Sequence, residues 1–380
     1  MTERDARPVL LIVLNSLVSE GTPRMALDMC RYWIDVGIAP VLLVLDRSHN
    51  ELGERFEELG VPIDFAQIAP GRFRRFFDIL TQTFSCVRRH RAEGVLSMLF
   101  GWHAFIAMGA RLAGAGSVVA HVGNHPASVP PRIRKAMRIM TFLGLPFTRT
   151  LVCCGEYVRH GIIDELGVPR SHTEVVYNGA AIETVEAEAN EASGTRLSGF
   201  GDDRLKLVMT ARYERHKDQR TAIAAVGELK RRGIESHLSL VGDGTRRREF
   251  EDLIESSDLS EQIALTGFRD DVPSVLGRSD IFLFATTPDE GLGIALIEAM
   301  AAGVPIVASD VGACRETLAD GECGLLVTPN DPGALADGIM ALHKDPALRS
   351  RLVRNAKSRA RTVFSSRAMA DAYRTLLTRT

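Results

Sequence analysis

The sequence predicts an α/β protein built from two doubly wound parallel-sheet units in tandem. Apolar runs of strand length alternate with segments of helical period, the pattern expected when a parallel sheet is covered on both faces. The rhythm breaks near residue 180 and restarts near residue 205. A chain of 380 residues also exceeds one ordinary core.

In order, the charged opening MTERDAR leads into PVLLIVLNSL, which is shorter than the ~20 residues of a membrane span and lacks a small-residue cleavage site. It is expected to be a buried first strand, Val9 to Leu14, with no secretion signal. A polar loop, SLVSEGTPR, precedes a helix over Met25–Val36 and a second strand over Pro40–Leu45. Further strands are expected at Gly94–Met98, Ser117–Val122 and Leu151–Cys154. The second series places strands at 205–212, 237–244, 263–268 and 280–286, separated by helices over Gln219–Arg232, Arg246–Ser256 and Val272–Leu276.

Between the series, the segment 180–204 is rich in Glu, Ala, Gly and Ser and reads as an interdomain connection. From about Asp345 onward the period is helical, marked by Leu348, Leu352, Ala356, Val363, Met369, Tyr373 and Leu376. The expected domains are 1–180, 181–365 and a C-terminal helix, 366–380, returning to the first.

With 45% hydrophobic residues, 25% charged residues and a net charge of −2, the chain reads as soluble and globular, with no drive toward nucleic acid. Cys30, Cys86, Cys153, Cys154, Cys314 and Cys323 show no C-x-x-C and no Cys/His ligand spacing. Reduced thiols in a cytoplasmic compartment, without metal, are expected.

The chemistry concentrates at strand ends, where open parallel sheets collect ligands. Asp289 to Asp310, DEGLGIALIEAMAAGVPIVASD, reads as loop, helix and strand, with Glu290 in the loop and Glu298 on the helix. A helix N-terminus offers unpaired N–H groups and positive dipole to phosphate or hydroxyl oxygens. Arg212 and Lys217, between a strand and a helix, can grip a diphosphate and stabilise it as a leaving group. Alone, such pairs are ordinary surface cations and acids, and Gly242 with Gly244 a tight turn. Their convergence, with Gly267, Phe268 and Arg269, favours one site.

These residues resemble glycosyltransferase family 4, retaining nucleotide-sugar enzymes of the GT-B fold, in which two Rossmann-like domains face each other across a cleft. The likeness rests on ARYERHKD, LVGDGTRRREFE, LTGF, DEGLGIALIEAMAAGVPIVASDVGACRE, CGLLVTPND and VVYNGA, and covers residues 150 to 365 well. It implies an N-terminal acceptor domain and a C-terminal donor domain. Arg212 and Lys217 would bind the donor diphosphate, Glu290 the sugar hydroxyls and Glu298 the ribose. The backbone of Gly291, Leu292 and Gly293 would lie beside sugar and phosphate, the Gly267-Phe268-Arg269 loop along the base, and Gly242 would also bind the donor.

The family places a histidine toward the reacting sugar. Here SVVAHVGNHPAS offers His121 and His125, and the alignment slightly favours His125. The family's Gly-Gly pair in the first loop, near the donor phosphates, is represented by Gly21 alone, within Ser19-Glu20-Gly21-Thr22-Pro23, so the resemblance leaves Gly21 as the donor contact there.

Residues 71–91 and 130–147 mix Arg or Lys with apolar residues at helical spacing, as membrane-surface helices do. The first 180 residues hold 20 basic and 17 acidic side chains, the remainder 26 and 31, so the basic side belongs to the acceptor half. The expectation is a metal-independent hexosyltransferase without cofactor, taking a UDP- or GDP-sugar to a glycan or lipid-linked acceptor of envelope polysaccharide synthesis. Its expected place is the cytoplasm or the inner membrane face. A nucleotide-sugar epimerase, a phosphorylase and a non-catalytic sugar-nucleotide-binding scaffold are the alternatives.

Overall fold

A computed structural model describes residues 7–18, 21–69, 71–193, 204–215 and 217–378. The chain divides into two compact units, Met1–Gly179 with Ser366–Thr380, and Ala180–Ser365.

The first unit carries strands β1 (Val9–Leu14), β2 (Ala39–Val44), β3 (Ile63–Phe65), β4 (Gly94–Ser97), β5 (Ser117–Val122), β6 (Thr150–Cys153) and β7 (Thr173–Val175). Its helices are α1 (Gly21–Asp35), α2 (Gly53–Glu58), α3 (Arg72–His90), α4 (His103–Leu112), α5 (Pro131–Gly144) and α6 (Glu156–Leu166). All strands pair in parallel, in the order β3-β2-β1-β4-β5-β6-β7. Leu10 to Val13 and all of β5 are buried, so both sheet faces are covered. Helix α1 begins at Gly21, four residues before the expected Met25, while Ser19 and Glu20 of the predicted loop lie outside the described residues.

The second unit carries β8 (Leu205–Thr210), β9 (Ser236–Val241), β10 (Ile263–Gly267), β11 (Ile281–Phe284), β12 (Ile306–Ser309) and β13 (Leu325–Val327). Its helices are α7 (Ile182–Ala192), α8 (Gln219–Arg231), α9 (Arg247–Ser256), α10 (Val272–Gly277), α11 (Ile294–Ala302), α12 (Gly312–Thr317), α13 (Pro332–Lys344) and α14 (Pro346–Val363). This sheet is also parallel, in the order β10-β9-β8-β11-β12-β13. Sequence order reverses between β8 and β11, which puts a crevice at their carboxyl ends.

The expected connection over 180–204 departs from a simple linker. Its first half is α7, which buries Ile182, Val185 and Ala189 within the second unit, while 194–203 lie outside the described residues. Three apolar positions on one face suffice to dock a helix whose composition otherwise reads as polar. The C-terminal helical stretch is likewise two helices. α14 starts behind Asp345, whose carboxylate accepts from Leu348 N at 2.9 Å, and ends before buried Phe364.

The last helix, α15 (Ser366–Thr378), belongs to the first unit. It packs on α1, where buried Trp33 Nε1 donates to Ala370 O at 2.8 Å, and reaches β5, where Ser117 Oγ donates to Leu376 O at 2.9 Å. Burying the indole and hydroxyl is tolerable because each has its partner.

Candidate functional site

In the second unit, the carboxyl ends of β8, β9 and β10 meet through close backbone contacts that require glycine. Gly242 has φ +136°, and a Cβ there would lie 2.2 Å from Ala211 O. Its N–H donates to Gly267 O at 2.9 Å, so the loops after β8, β9 and β10 are stacked without side chains between them. Phe268, beyond Gly267, is 54% exposed.

The turn between β8 and α8 carries the two predicted cations. Arg212 is exposed, and its carbonyl accepts from Nε2 of fully buried Gln219 at 2.9 Å. Asp218 caps α8 by accepting from Thr221 N at 3.2 Å, and its own N–H donates to Ala285 O at 3.0 Å. Lys217 thereby forms a backbone bridge with Thr286, at the end of β11.

That bridge brings Lys217 onto Glu290. Lys217 Nζ donates to Glu290 Oε2 and lies 4.8 Å from the centre of the Phe284 ring. Glu290 is only 6% exposed; Thr286 Oγ1 donates to Oε2 at 3.3 Å and Gly291 N to Oε1 at 3.1 Å. Cys314, near the pair, has its thiol pKa held well above the usual range, first by burial and then by Glu290. It is therefore a neutral thiol and no nucleophile.

Gly291, Leu292 and Gly293 are buried and lead into α11, with Gly293 as its N-cap at φ +80°. Thr317 Oγ1 anchors the loop by donating to Leu292 O at 2.8 Å. Glu298 is half-buried at the fifth position of α11, which ends at Gly303 with φ +73°. Arg246 and Arg247 are engaged with Glu249 and Glu251. A separate cavity of about 600 Å³ is lined by Lys206, His237, Thr266 and Arg278 and shares only Arg269 with the predicted site.

In the first unit the two histidines differ. His121 is buried on β5, with Nδ1 2.8 Å from Tyr373 Oη, and burial lowers its pKa to about 4. It is a neutral core residue. His125 follows the strand; its Nδ1 accepts from Ala127 N at 3.2 Å and its ring stacks on Tyr157 at 4.6 Å. Gly21 opens α1.

The sequence reading missed Phe284, Thr286, Gln219 and Thr317. Each neighbours a motif or faces it across the fold, but none has a spacing that announces contact.

Two adjoining family models match the chain. One, described as Glycosyltransferase Family 4, matches residues 19–184, and the other, Glycosyl transferases group 1, matches residues 196–359. The chain belongs to glycosyltransferase family 4. This family 4 chain is 29% identical over 209 residues to alpha-D-kanosaminyltransferase of Streptomyces kanamyceticus, covering 54% of each protein. It is 33% identical over 169 residues to phosphatidyl-myo-inositol mannosyltransferase of Mycobacterium tuberculosis, covering 43% of this chain and 44% of that protein. The matches thus span about half the length of these curated relatives. Among solved structures, Anabaena HepE in complex with UDP and glucose superposes with a TM-score of 0.83 at 18% identity, covering 98% of this chain and 100% of that one. At that identity the likeness establishes the GT-B fold.

Proposed function

We propose that this family 4 chain transfers a sugar from a nucleotide diphosphate sugar to an acceptor hydroxyl, with retention at the anomeric carbon. The observation that carries the reading is the buried Lys217–Glu290 pair at the switch point, beside the N-terminus of α11. In the structure the cation and acid satisfy each other. A donor replaces both interactions at once: its diphosphate takes Lys217, with Arg212, and its sugar hydroxyls take Glu290. Fixed cations and the α11 N–H groups then stabilise charge on the departing diphosphate without requiring a metal. Glu298 binds the ribose, and Phe268 with the 267–269 loop flanks the base.

Glu290 is assigned to orientation because Thr286 Oγ1 and Gly291 N hold its two oxygens in place once Lys217 turns to the diphosphate. With Glu290 assigned to orientation, the acceptor attacks on the face the diphosphate leaves, within an ion-pair-like transition state. The first unit is proposed to serve the acceptor, with His125 as its contact to the transferred sugar, since His121 is enclosed.

The donor is proposed to be UDP-linked and the acceptor a glycan or lipid-linked intermediate, in keeping with the UDP and glucose in HepE and the lipid named for the mycobacterial relative. No helix among the described residues is long and apolar enough to cross a membrane. α5 is instead proposed to rest on an anionic membrane surface: Ile139 is 52% and Phe142 43% exposed, beside Arg132, Lys135 and Arg138. α3 suits this less, because Phe76, Ile79, Thr83 and Val87 turn inward to pack.

A thermal-shift panel of UDP-, GDP- and ADP-sugars tests the reading, since a ligand that binds only the folded state raises the melting temperature. A UDP-sugar is expected to give the largest rise. Absence of a shift with every nucleotide sugar would overturn the proposal.

A further inference from the structure

We propose that Asp64, Cys86 and His90 form a divalent-metal site, with zinc as its natural occupant, at the β3 edge of the first unit. Cys86 and His90 are four residues apart on α3 and therefore share one helix face. Asp64 is the middle residue of β3, the edge strand of the sheet. Their ligand atoms, one sulfur, one nitrogen and one carboxylate oxygen, all lie within 4.8 Å of one another, the one such group among the described residues.

The three side chains already converge on one point. His90 Nε2 lies 3.1 Å from Asp64 Oδ2, and the buried Cys86 Sγ is within 4.8 Å of both side chains' ligand atoms. Arg89 Nη1 donates to the same Oδ2 at 2.9 Å and acts as an outer partner that orients the carboxylate. A plain Asp–Arg ion pair would explain Asp64 and Arg89, but it requires neither a thiol beneath the carboxylate nor an imidazole beside it. Mixed S, N and O ligation suits zinc, and a thiolate with a carboxylate balances its two charges. Water fills the fourth position, and the thiol proton leaves as the metal enters.

The site would act as a staple. β3 has three residues and pairs only with β2, so a metal shared with α3 fixes an otherwise weakly held edge. Sequence reading found no Cys/His ligand spacing because Cys86-x-x-x-His90 is a single turn of helix and its third ligand lies on another element.

The test is a cobalt titration of the full chain after chelation, followed by zinc competition. A thiolate-to-cobalt band in the near ultraviolet with intense tetrahedral visible absorption is expected. Cys86→Ser should abolish the band, while Asp64→Asn and His90→Gln should each weaken zinc at least tenfold. Zinc should raise the melting temperature of the wild type and leave that of Cys86→Ser unchanged. No thiolate band, or a band that survives Cys86→Ser, would overturn the assignment. If Cys86→Ser does not fold, an undiminished zinc affinity in His90→Gln overturns it equally.

Discussion

Lys217 and Glu290, 73 residues apart in sequence, are joined as a buried ion pair whose acid is also held by Thr286 and by the N–H of Gly291. Such a pair is costly to break from one side, because the remaining charge keeps its desolvation penalty. It also couples the two ligand-binding functions proposed for this site. When a phosphate draws Lys217 away, Glu290 Oε2 keeps its bond from Thr286 and regains one acceptor position for a sugar hydroxyl.

A mutant cycle reads this coupling. Lys217→Met should cost about 3 kcal/mol in urea denaturation, within the range for uncovering a buried charge. Adding Glu290→Gln should recover most of that loss, yet both proteins should lose at least ~100-fold in turnover. Additive destabilisation in the double variant would show that the pair is not coupled.

Gly242→Ala forces a Cβ to 2.2 Å from Ala211 O at φ +136°. Something in the backbone must move, so a loss of roughly 2 kcal/mol or more is expected together with weaker nucleotide binding. Gly227→Ala is the control: it lies within α8, and its Cβ would meet Leu259 at an ordinary 3.6 Å. Gly227→Ala should stabilise by about 0.5–1 kcal/mol. Calorimetry of both variants, with nucleotide titration of Gly242→Ala, checks the contrast.

His121 gives a pH signature. Burial depresses its folded pKa from 6.5 to about 4, so the unfolded chain takes up this proton first as pH falls. Stability from the neutral ring is complete above pH 6.5 and drains away between pH 6.5 and 4, by about 3 kcal/mol in all. His121→Gln should show a correspondingly shallower loss over that window in urea melts. Equal pH slopes in the two proteins would place the titration elsewhere.

α5 should carry any membrane affinity. Ile139→Glu with Phe142→Glu should reduce sedimentation with phosphatidylserine vesicles at least tenfold without changing the melting temperature, because both side chains face outward. Neutral vesicles should bind neither protein. If Phe77→Glu on α3 reduces binding as much, α5 is not the sole contact.

Both sheets were legible wherever strands are long and buried on both faces: β1, β5, β8 and β11 stand out as apolar runs. The three-residue edge strands β3, β7 and β13 are too short to interrupt the pattern around them. α7 escaped because its glutamates and alanines suggest a linker, although Ile182, Val185 and Ala189 already mark a buried face. At the site, individual motifs were visible but their pairing was not. Nothing in the sequence shows that Lys217 would meet Glu290 rather than solvent, since the contact depends on the β8–β11 crossover. The choice between His121 and His125 depended on inward direction within β5, a strand buried on both faces, where alternation carries no signal.

The second unit is proposed to hold the donor by this pair, and a crystal structure of the chain with the UDP-sugar that gives the largest thermal shift is the decisive measurement. A pyrophosphate is expected within hydrogen-bonding distance of Lys217 Nζ and the N-terminus of α11, with Glu290 on the sugar hydroxyls. A nucleotide bound instead among Lys206, His237 and Arg278, with Lys217 still on Glu290, would contradict it.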